Sequence, residues 1–370
     1  MSHSSQLLKI KEGKAYVSFF FDIGFWIDLK KAESLISSMR HRFPMRNSKR
    51  KQQYFEQIPS PLKVLQVGEA IEVGKYRTQT TIESTVYDFG AVSVVFQIPL
   101  TGLSFNEVIE LSSLLYDHAQ LWEVSKNHTS RLLSAIESSV IEPKLAEARD
   151  DYVVFQVESF DKDLSIEQLK EEHLVEVAQI LAADKVDLSE QEVQEVTSEQ
   201  TSYTDSDITF VDWDVSFVYE KEAEDVRAVI EYVNVVLLQY RYMDQLLDRT
   251  LDDGFELTNQ KIPALGFLFG SFRSSYKKIT RLQTDSTLLF DSMRNTLKFV
   301  GDPYLAKFYE KVASRLQLEA WDDAVQRKLT AIESIYNNLS DSLNTSRFMF
   351  LEIIIVLLIA FEIVITLLGL

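Results

Sequence analysis

The sequence contains no cysteine, and helix breakers are scarce, with 11 glycines and 7 prolines in 370 residues. Without cysteine the chain has no disulfide bond, no thiolate nucleophile and no Cys-type zinc site. It also lacks the phosphate-binding patterns GxxxxGK[ST] and GxGxxG, the GxSxG nucleophile elbow and the HExxH zinc motif. We therefore expect a protein without enzymatic activity, with no catalytic residue, no cofactor and no metal ion. The shortage of glycine and proline favours long helices.

Acidic residues exceed basic residues, and the net charge is −18. Such a balance repels phosphate, so nucleic acid is not an expected partner of the whole molecule. Basic residues nevertheless crowd one loop and form a candidate anion-binding set: Arg40, Arg42, Arg46, Lys49, Arg50 and Lys51. This loop either contacts anionic lipid or RNA, or is a solvated loop or an intramolecular partner of the acidic segment 184–207.

The C-terminal segment from Phe348 to Leu370 is almost entirely apolar, and its charged exceptions are Glu352 and Glu362. As a helix it would be roughly 34 Å long, which matches a hydrocarbon core of about 30 Å. The segment predicts a single transmembrane anchor at the end of the chain, with Arg347 at the headgroups. We expect the lipid bilayer as a partner, at an inner (cytoplasmic) membrane with the body facing the cytoplasm, and a mitochondrial inner membrane as the alternative.

Glu362 lies deep in this apolar segment, where an ionised carboxylate costs about 3 kcal/mol or more. No basic residue of the segment can pair with it. The carboxyl is therefore either protonated or hydrogen-bonded to another helix. The second alternative predicts a homo-oligomer.

Four segments of the first 220 residues are rich in β-branched and aromatic residues and predict strands: Ala15–Ile27, Val86–Ile98, Tyr152–Phe160 and Ile208–Tyr219. Helical segments alternate with them. Ser104 with Glu107, and Ser165 with Gln168, match the capping box that begins many helices. Two short stretches, Phe21–Gly24 and Tyr87–Gly90, share a pattern that indicates either a duplicated unit or a coincidence.

We therefore predict an α+β fold with one C-terminal transmembrane helix. Residues 1–220 form a sheet-and-helix body that includes the basic loop 40–51 and a flexible acidic loop at 184–207. Residues 221–347 form a long-helix bundle and stalk, and residues 348–370 form the anchor.

The stalk carries apolar residues at alternating spacings of four and three, which is typical of a coiled-coil seam. The seam residues are Val325, Leu329, Ile332, Tyr336, Leu339 and Leu343. This seam either pairs with a sister subunit or faces the core of its own subunit. Asp302 and Pro303 predict the start of the preceding helix, as N-cap and first helical residue.

Several of these features resemble the "required for meiotic nuclear division" family. The similar stretches are Tyr87–Phe96, Asp302-Pro303 with the helix from Leu318 to Leu343, and the terminal stretches Leu351–Ile355 and Phe361–Val364. The family's arginine- and histidine-rich stretch is replaced here by Leu343–Arg347. The resemblance implies a membrane-anchored, self-associating, non-enzymatic protein, and some members of that family support organellar translation.

We thus expect a membrane-anchored, self-associating scaffold or tether that holds a protein partner. One alternative is a membrane-attached hydrolase or nucleotide-dependent enzyme whose active site assembles from scattered acids and the basic loop. Another is an adaptor that contacts RNA or the ribosome through the basic loop.

Overall fold

The computed structural model describes residues 8–38, 45–47, 60–259, 284 and 302–368. The chain divides into two units. Unit 1 contains Met1–Tyr240 and Ser292–Glu319, and unit 2 contains Arg241–Asp291 and Ala320–Leu370. The candidate site described below lies entirely in unit 1.

Nine strands of the described residues form one sheet, in the order β11-β12-β13-β10-β1-β8-β7-β4-β3. Two further pairs, β2 with β9 and β5 with β6, stand apart from it. Pairing in the sheet is antiparallel except between β10 and β13. The strands are β1 (Ile10–Asp22), β2 (Trp26–Ile27), β3 (Met45–Asn47), β4 (Leu62–Val67), β5 (Glu72–Val73), β6 (Tyr76–Arg77), β7 (Thr81–Val86), β8 (Ala91–Pro99), β9 (Val140–Ile141), β10 (Asp150–Phe160), β11 (Gln200–Thr201), β12 (Ile208–Val211) and β13 (Val215–Tyr219).

The helices of the described residues fall into a group between the strands, here called the short helices, and a group of three after the last strand. The short ones are α1 (Leu29–Ser38), α2 (Phe105–Leu115), α3 (Ala119–Ile136), α4 (Ile166–Glu172), α5 (Leu174–Leu181) and α6 (Glu190–Val196). The later ones are α7 (Glu224–Asn259), α8 (Pro303–Arg315) and α9 (Leu318–Leu368). The structure is a mixed α+β fold with one large sheet and helices.

Alternate residues of the central strand β1 point to opposite faces of the sheet, as in any strand. Val17, Phe19 and Phe21 belong to the main apolar core, which the short helices cover. Trp122 of α3 stacks on Phe21 with ring centroids 4.9 Å apart. The residues between them point to the other face, and Tyr16 there contacts α7. One face is therefore an apolar core and the other is available for polar groups.

The helix starts predicted from the capping patterns are confirmed. The carboxylate of Glu107 accepts a hydrogen bond from the Ser104 N–H at 3.0 Å at the start of α2. Gln168 and Ser165 make the reciprocal pair at the start of α4. The Asp302 side chain accepts from the Tyr304 N–H at 2.7 Å, and α8 begins at Pro303 as predicted.

Two predicted strands are hairpins in the structure. The segment Val86–Ile98 contains the end of β7, a turn and β8. Ile208–Tyr219 is likewise divided into β12 and β13. Both arms of each hairpin are buried, so the apolar pattern continues through the turn and hides it. The acidic stretch 184–207, predicted as a flexible loop, contains α6 and β11.

The predicted C-terminal transmembrane helix is wrong. In the part of the chain that the structure describes, no helix has a stretch long and apolar enough to cross a bilayer. Residues 348–368 of the segment belong to α9, which begins at Leu318. The membrane, transmembrane and tail-anchored interpretations are corrected with it.

Candidate functional site

The second face of the sheet carries a row of polar side chains, and strand register brings them together. On this face Lys14 lies opposite Gln156 of β10, and Tyr16 lies opposite Gln97 of β8. These residues are far apart in sequence, and antiparallel pairing makes them neighbours. The sheet thus presents a polar floor next to the first turns of α7.

A cleft lies between this floor and α7. One cavity of about 270 Å³ is lined by residues that include Lys14, Tyr16, Lys63, Glu83, Gln97 and Arg227. A second cavity of about 440 Å³ is also lined by Lys14, Tyr16 and Arg227, together with Gln156, Glu158 and Glu224. We call the two together the polar cleft.

Arg227 of α7 is the central cation of the polar cleft. Its guanidinium carbon lies 3.9 Å from the centroid of the Tyr16 ring, which is a close cation–π stack. Its Nε atom is buried and has no hydrogen-bond partner among the described residues. Burial raises the pKa of the Tyr16 hydroxyl, an effect that the Arg227 charge partly offsets. The ring therefore stays neutral and holds the guanidinium in place.

Gln156 supplies an acceptor in the same cleft. The residue is 3% exposed, and its Nε2 donates to the backbone carbonyl of Glu220 at 3.1 Å. That bond orients the amide, because a carbonyl can only accept. Its Oε1 is buried and has no hydrogen-bond partner within the described residues. Nε of Arg227 and Oε1 of Gln156 are thus a buried donor and a buried acceptor in the cleft without hydrogen-bond partners among the described residues.

The other charged groups of the cleft are of both signs. Lys14 donates to Oε1 of Gln97 at 3.2 Å, and Lys63 lies 3.7 Å from the Glu83 carboxylate. Burial, with Asp207, Asp225 and Glu222 nearby, raises the pKa of Glu220 to about 7. Four carboxylates, those of Glu158, Glu222, Glu224 and Asp225, line the second cavity.

Glu231 lies at the inner end of the cleft and is held by two hydroxyl groups. Tyr87 donates to its Oε1 at 3.2 Å, and Ser93 donates to the same oxygen. Tyr87 is buried, and its pKa lies well above the ordinary range because of burial and the adjacent carboxylate. These hydrogen bonds explain why the carboxylate of Glu231, a residue of α7, is tolerated against the sheet.

None of the predicted site residues whose side chains the structure describes lines the polar cleft. Arg46 lies in β3, and the other basic residues, Arg40, Arg42, Lys49, Arg50 and Lys51, lie outside the described residues. The seam and membrane residues are all in α9. Val325 and Ile332 are buried there and Leu329 is half-buried, whereas Glu352 is exposed. For Tyr336, Leu339, Leu343, Arg347 and Glu362 the backbone is described and the side chain is not.

The polar cleft is not among the sites predicted from the sequence. Its signal was present in β1, where Lys14, Tyr16, Ser18 and Asp22 recur with a period of two inside an otherwise apolar run. Among the side chains that the structure describes, no group of three or more His, Asp or Glu residues is placed to hold a metal ion.

These observations define an α+β protein in which helices cover one face of a nine-stranded sheet and a polar cleft lies on the other. The chain belongs to the family described as "Uncharacterized protein MJ0711, N-terminal domain", which matches residues 12–225. That match includes Lys14, Tyr16 and Gln156, and ends two residues before Arg227.

Uncharacterized protein MJ0711 of Methanocaldococcus jannaschii is 25% identical over 190 residues, which are 49% of this chain and 55% of the relative. The chain therefore spans about half the length of the curated relative it matches. No solved structure matches.

The resemblance to the "required for meiotic nuclear division" family is therefore wrong. Its most extended motif, Tyr87–Phe96, is a turn followed by a buried strand in the structure. A glycine turn followed by β-branched residues is a common way to form a buried antiparallel hairpin. The motif consequently reports a local structure that unrelated proteins share.

Proposed function

We propose that this protein binds a small polar molecule in the polar cleft. The observation that carries the proposal is the pair of buried groups without protein partners, Nε of Arg227 and Oε1 of Gln156. A buried donor or acceptor left unsatisfied costs roughly 1–3 kcal/mol, and most such groups in proteins are satisfied. A ligand that accepts from Arg227 and donates to Gln156 removes both costs.

The dimensions of the cleft support a small ligand. The cavity of about 440 Å³ falls within the range typical of small-molecule sites, about 300–1,000 Å³, and the cavity of about 270 Å³ lies just below it. The stack of Arg227 on Tyr16 fixes the guanidinium before any ligand arrives. Preorganisation of this kind lowers the entropy cost of binding.

This proposal changes the function expected from the sequence. The scaffold hypothesis was motivated in part by a membrane anchor, which the structure contradicts, and in part by the α9 seam, Glu362 and the absence of catalytic motifs. Self-association through the α9 seam and a protein partner remain predictions, and binding in the polar cleft requires neither. We propose binding without a chemical step, in which the cleft residues only contact the ligand.

The test is a ligand screen on the full-length protein by thermal shift, with amino acids, nucleotides, sugars and sugar phosphates as probes. At least one probe is expected to raise Tm in the wild type. The increase should be lost in Arg227→Gln and retained in Arg131→Gln, a matched control in which an exposed helical arginine of α3 is changed. Far-UV circular dichroism verifies that both variants are folded.

Two results count against the proposal. One is the absence of any stabilising probe in the wild type. The other is a probe whose effect survives in folded Arg227→Gln at wild-type strength, because that ligand would bind elsewhere.

A further inference from the structure

We infer that the ligand of the polar cleft is a zwitterion that carries one carboxylate and one ammonium group, as a free α-amino acid does. The inference rests on the proposed function and specifies its ligand. It depends on which groups in the cleft lack partners and on the balance of charge around them.

The anionic end is assigned to Arg227. Its guanidinium is planar and always charged, and its N–H groups match the two oxygens of a carboxylate. The Tyr16 ring covers one face of the guanidinium, so a ligand contacts it from the edge. The unpartnered Nε lies on that edge. A carboxylate therefore supplies the acceptor that the buried Nε–H lacks.

The cationic end is assigned to Gln156. Its Oε1 can only accept, and it is buried in the cavity that Arg227 also lines. Glu158, Glu222 and Glu224 line the same cavity and favour positive charge there. An ammonium group donates three hydrogen bonds and suits an acceptor surrounded by carboxylates better than a neutral hydroxyl does.

The charge balance argues against a phosphate-bearing ligand. The lining residues of the two cavities carry the cations Lys14, Lys63, Lys221 and Arg227 and the acids Glu83, Glu158, Glu222, Glu224, Asp225 and Glu231. Acids outnumber cations, so a ligand with excess negative charge is repelled, whereas a carboxylate balanced by its own ammonium is not.

The test is isothermal titration of the full-length protein with each of the twenty common amino acids. For the tightest one, two derivatives follow: the N-acetyl form, which lacks the ammonium group, and the carboxamide, which lacks the carboxylate. We expect each derivative to bind more weakly than its parent by roughly tenfold or more, the effect of one lost charge-assisted hydrogen bond. Inorganic phosphate and a nucleoside monophosphate are titrated in parallel.

Two variants test which residue binds the carboxylate of the ligand and which binds its ammonium group. In Arg227→Gln the acid and its carboxamide should bind with similar affinity, since the group that distinguishes them is gone. In Gln156→Leu the parent and its N-acetyl form should do so. Arg131→Gln should retain both preferences. If the variants do not redistribute the preferences in this way, the assignment of the two ends is wrong.

The outcomes separate this inference from the proposed function. If the N-acetyl form or phosphate binds as tightly as the parent and depends on Arg227, the ligand is a simple anion: the zwitterion fails and the cleft remains a binding site. If no amino acid binds but another probe of the screen does, with the same dependence, the inference alone fails. If no probe binds, both fail.

Discussion

The backbone of Gly90 passes so close to that of Gly24 that a Cβ atom on Gly90 would overlap the Gly24 carbonyl oxygen and stand 2.8 Å from its carbon. The N–H of Ile23 donates to the Gly90 carbonyl at 2.8 Å. The two similar stretches noted in the sequence, Phe21–Gly24 and Tyr87–Gly90, therefore meet in space. Gly90 is required by this crossing, whereas a Cβ atom on Gly24 would instead meet Val140 and the Ile141 carbonyl.

Gly90→Ala should destabilise the protein strongly. Its φ is +89°, which alanine adopts at a cost, and the backbone of Gly24 cannot yield as a flexible side chain would. Gly102→Ala is the matched control, because its φ is +84° but an added Cβ meets no atom within 4 Å. We expect a loss of about 1 kcal/mol for the control and at least twice that for Gly90→Ala. Urea unfolding measures both, and equal losses would contradict the crossing.

The wild-type protein should lose stability as the pH rises towards 7, and Asp22→Asn should abolish this loss. Burial raises the pKa of Asp22 to about 7 from 3.8, partly offset by a hydrogen bond from Gln239 and by Lys144. The folded state thus retains a proton that the unfolded state releases near pH 4, so stability is full below about pH 4 and declines as the pH rises to 7.

Asparagine keeps an acceptor for Gln239 and carries no charge, so at pH 8 this variant should be more stable than the wild type by roughly 1–3 kcal/mol. Urea unfolding at several pH values between 4 and 8 tests this. The exposed Asp205→Asn serves as a control and should follow the wild-type profile. A parallel profile for Asp22→Asn and wild type would rule out the assignment.

His128 should produce the opposite dependence on pH. It is buried, with Nε2 3.0 Å from the Ser84 hydroxyl, and burial, assisted by the Arg131 charge, lowers its pKa to about 4. The unfolded chain takes up a proton near pH 6.5 that the folded state refuses, so stability is lost as the pH falls from 6.5 to 4.

His128→Gln retains a polar partner for Ser84 without titrating, and it should flatten this acid side of the profile. His118→Asn is the comparison, because asparagine preserves the N-cap of α3 that His118 makes. Chemical unfolding at pH 4.5 and 7 is sufficient. An unchanged difference between the two pH values in His128→Gln would show that His128 does not cause the loss.

The Arg315–Asp212 pair should be tightly coupled. Nε of Arg315 donates to Oδ1 of Asp212 at 2.8 Å, and both side chains are largely buried. Removing the cation leaves a buried carboxylate, so Arg315→Leu should cost about 3 kcal/mol, while the exposed Lys307→Leu should cost little. The double variant Arg315→Leu with Asp212→Asn should recover part of the loss. Additive single effects in a double-mutant cycle would refute the coupling.

Much of the fold could be predicted from local sequence. The capping boxes at Ser104 and Ser165 and the start of α8 at Pro303 depend on interactions within a few residues. Turns inside buried hairpins were missed, because burial of both strands leaves no change of composition at the turn. The prediction of a membrane anchor was wrong, because apolar composition by itself does not establish a membrane span.

The polar cleft could not be predicted from local sequence. The polar residues at every second position of β1 and the cation Arg227 can be recognised in the sequence. The same is true of glycines and helix caps, which act on neighbouring residues. The cleft exists because antiparallel pairing places Lys14 beside Gln156 and the fold lays Arg227 on Tyr16. Strand register and helix placement arise from contacts between distant segments, whose energies no local pattern contains, and so the site appears only in the folded chain.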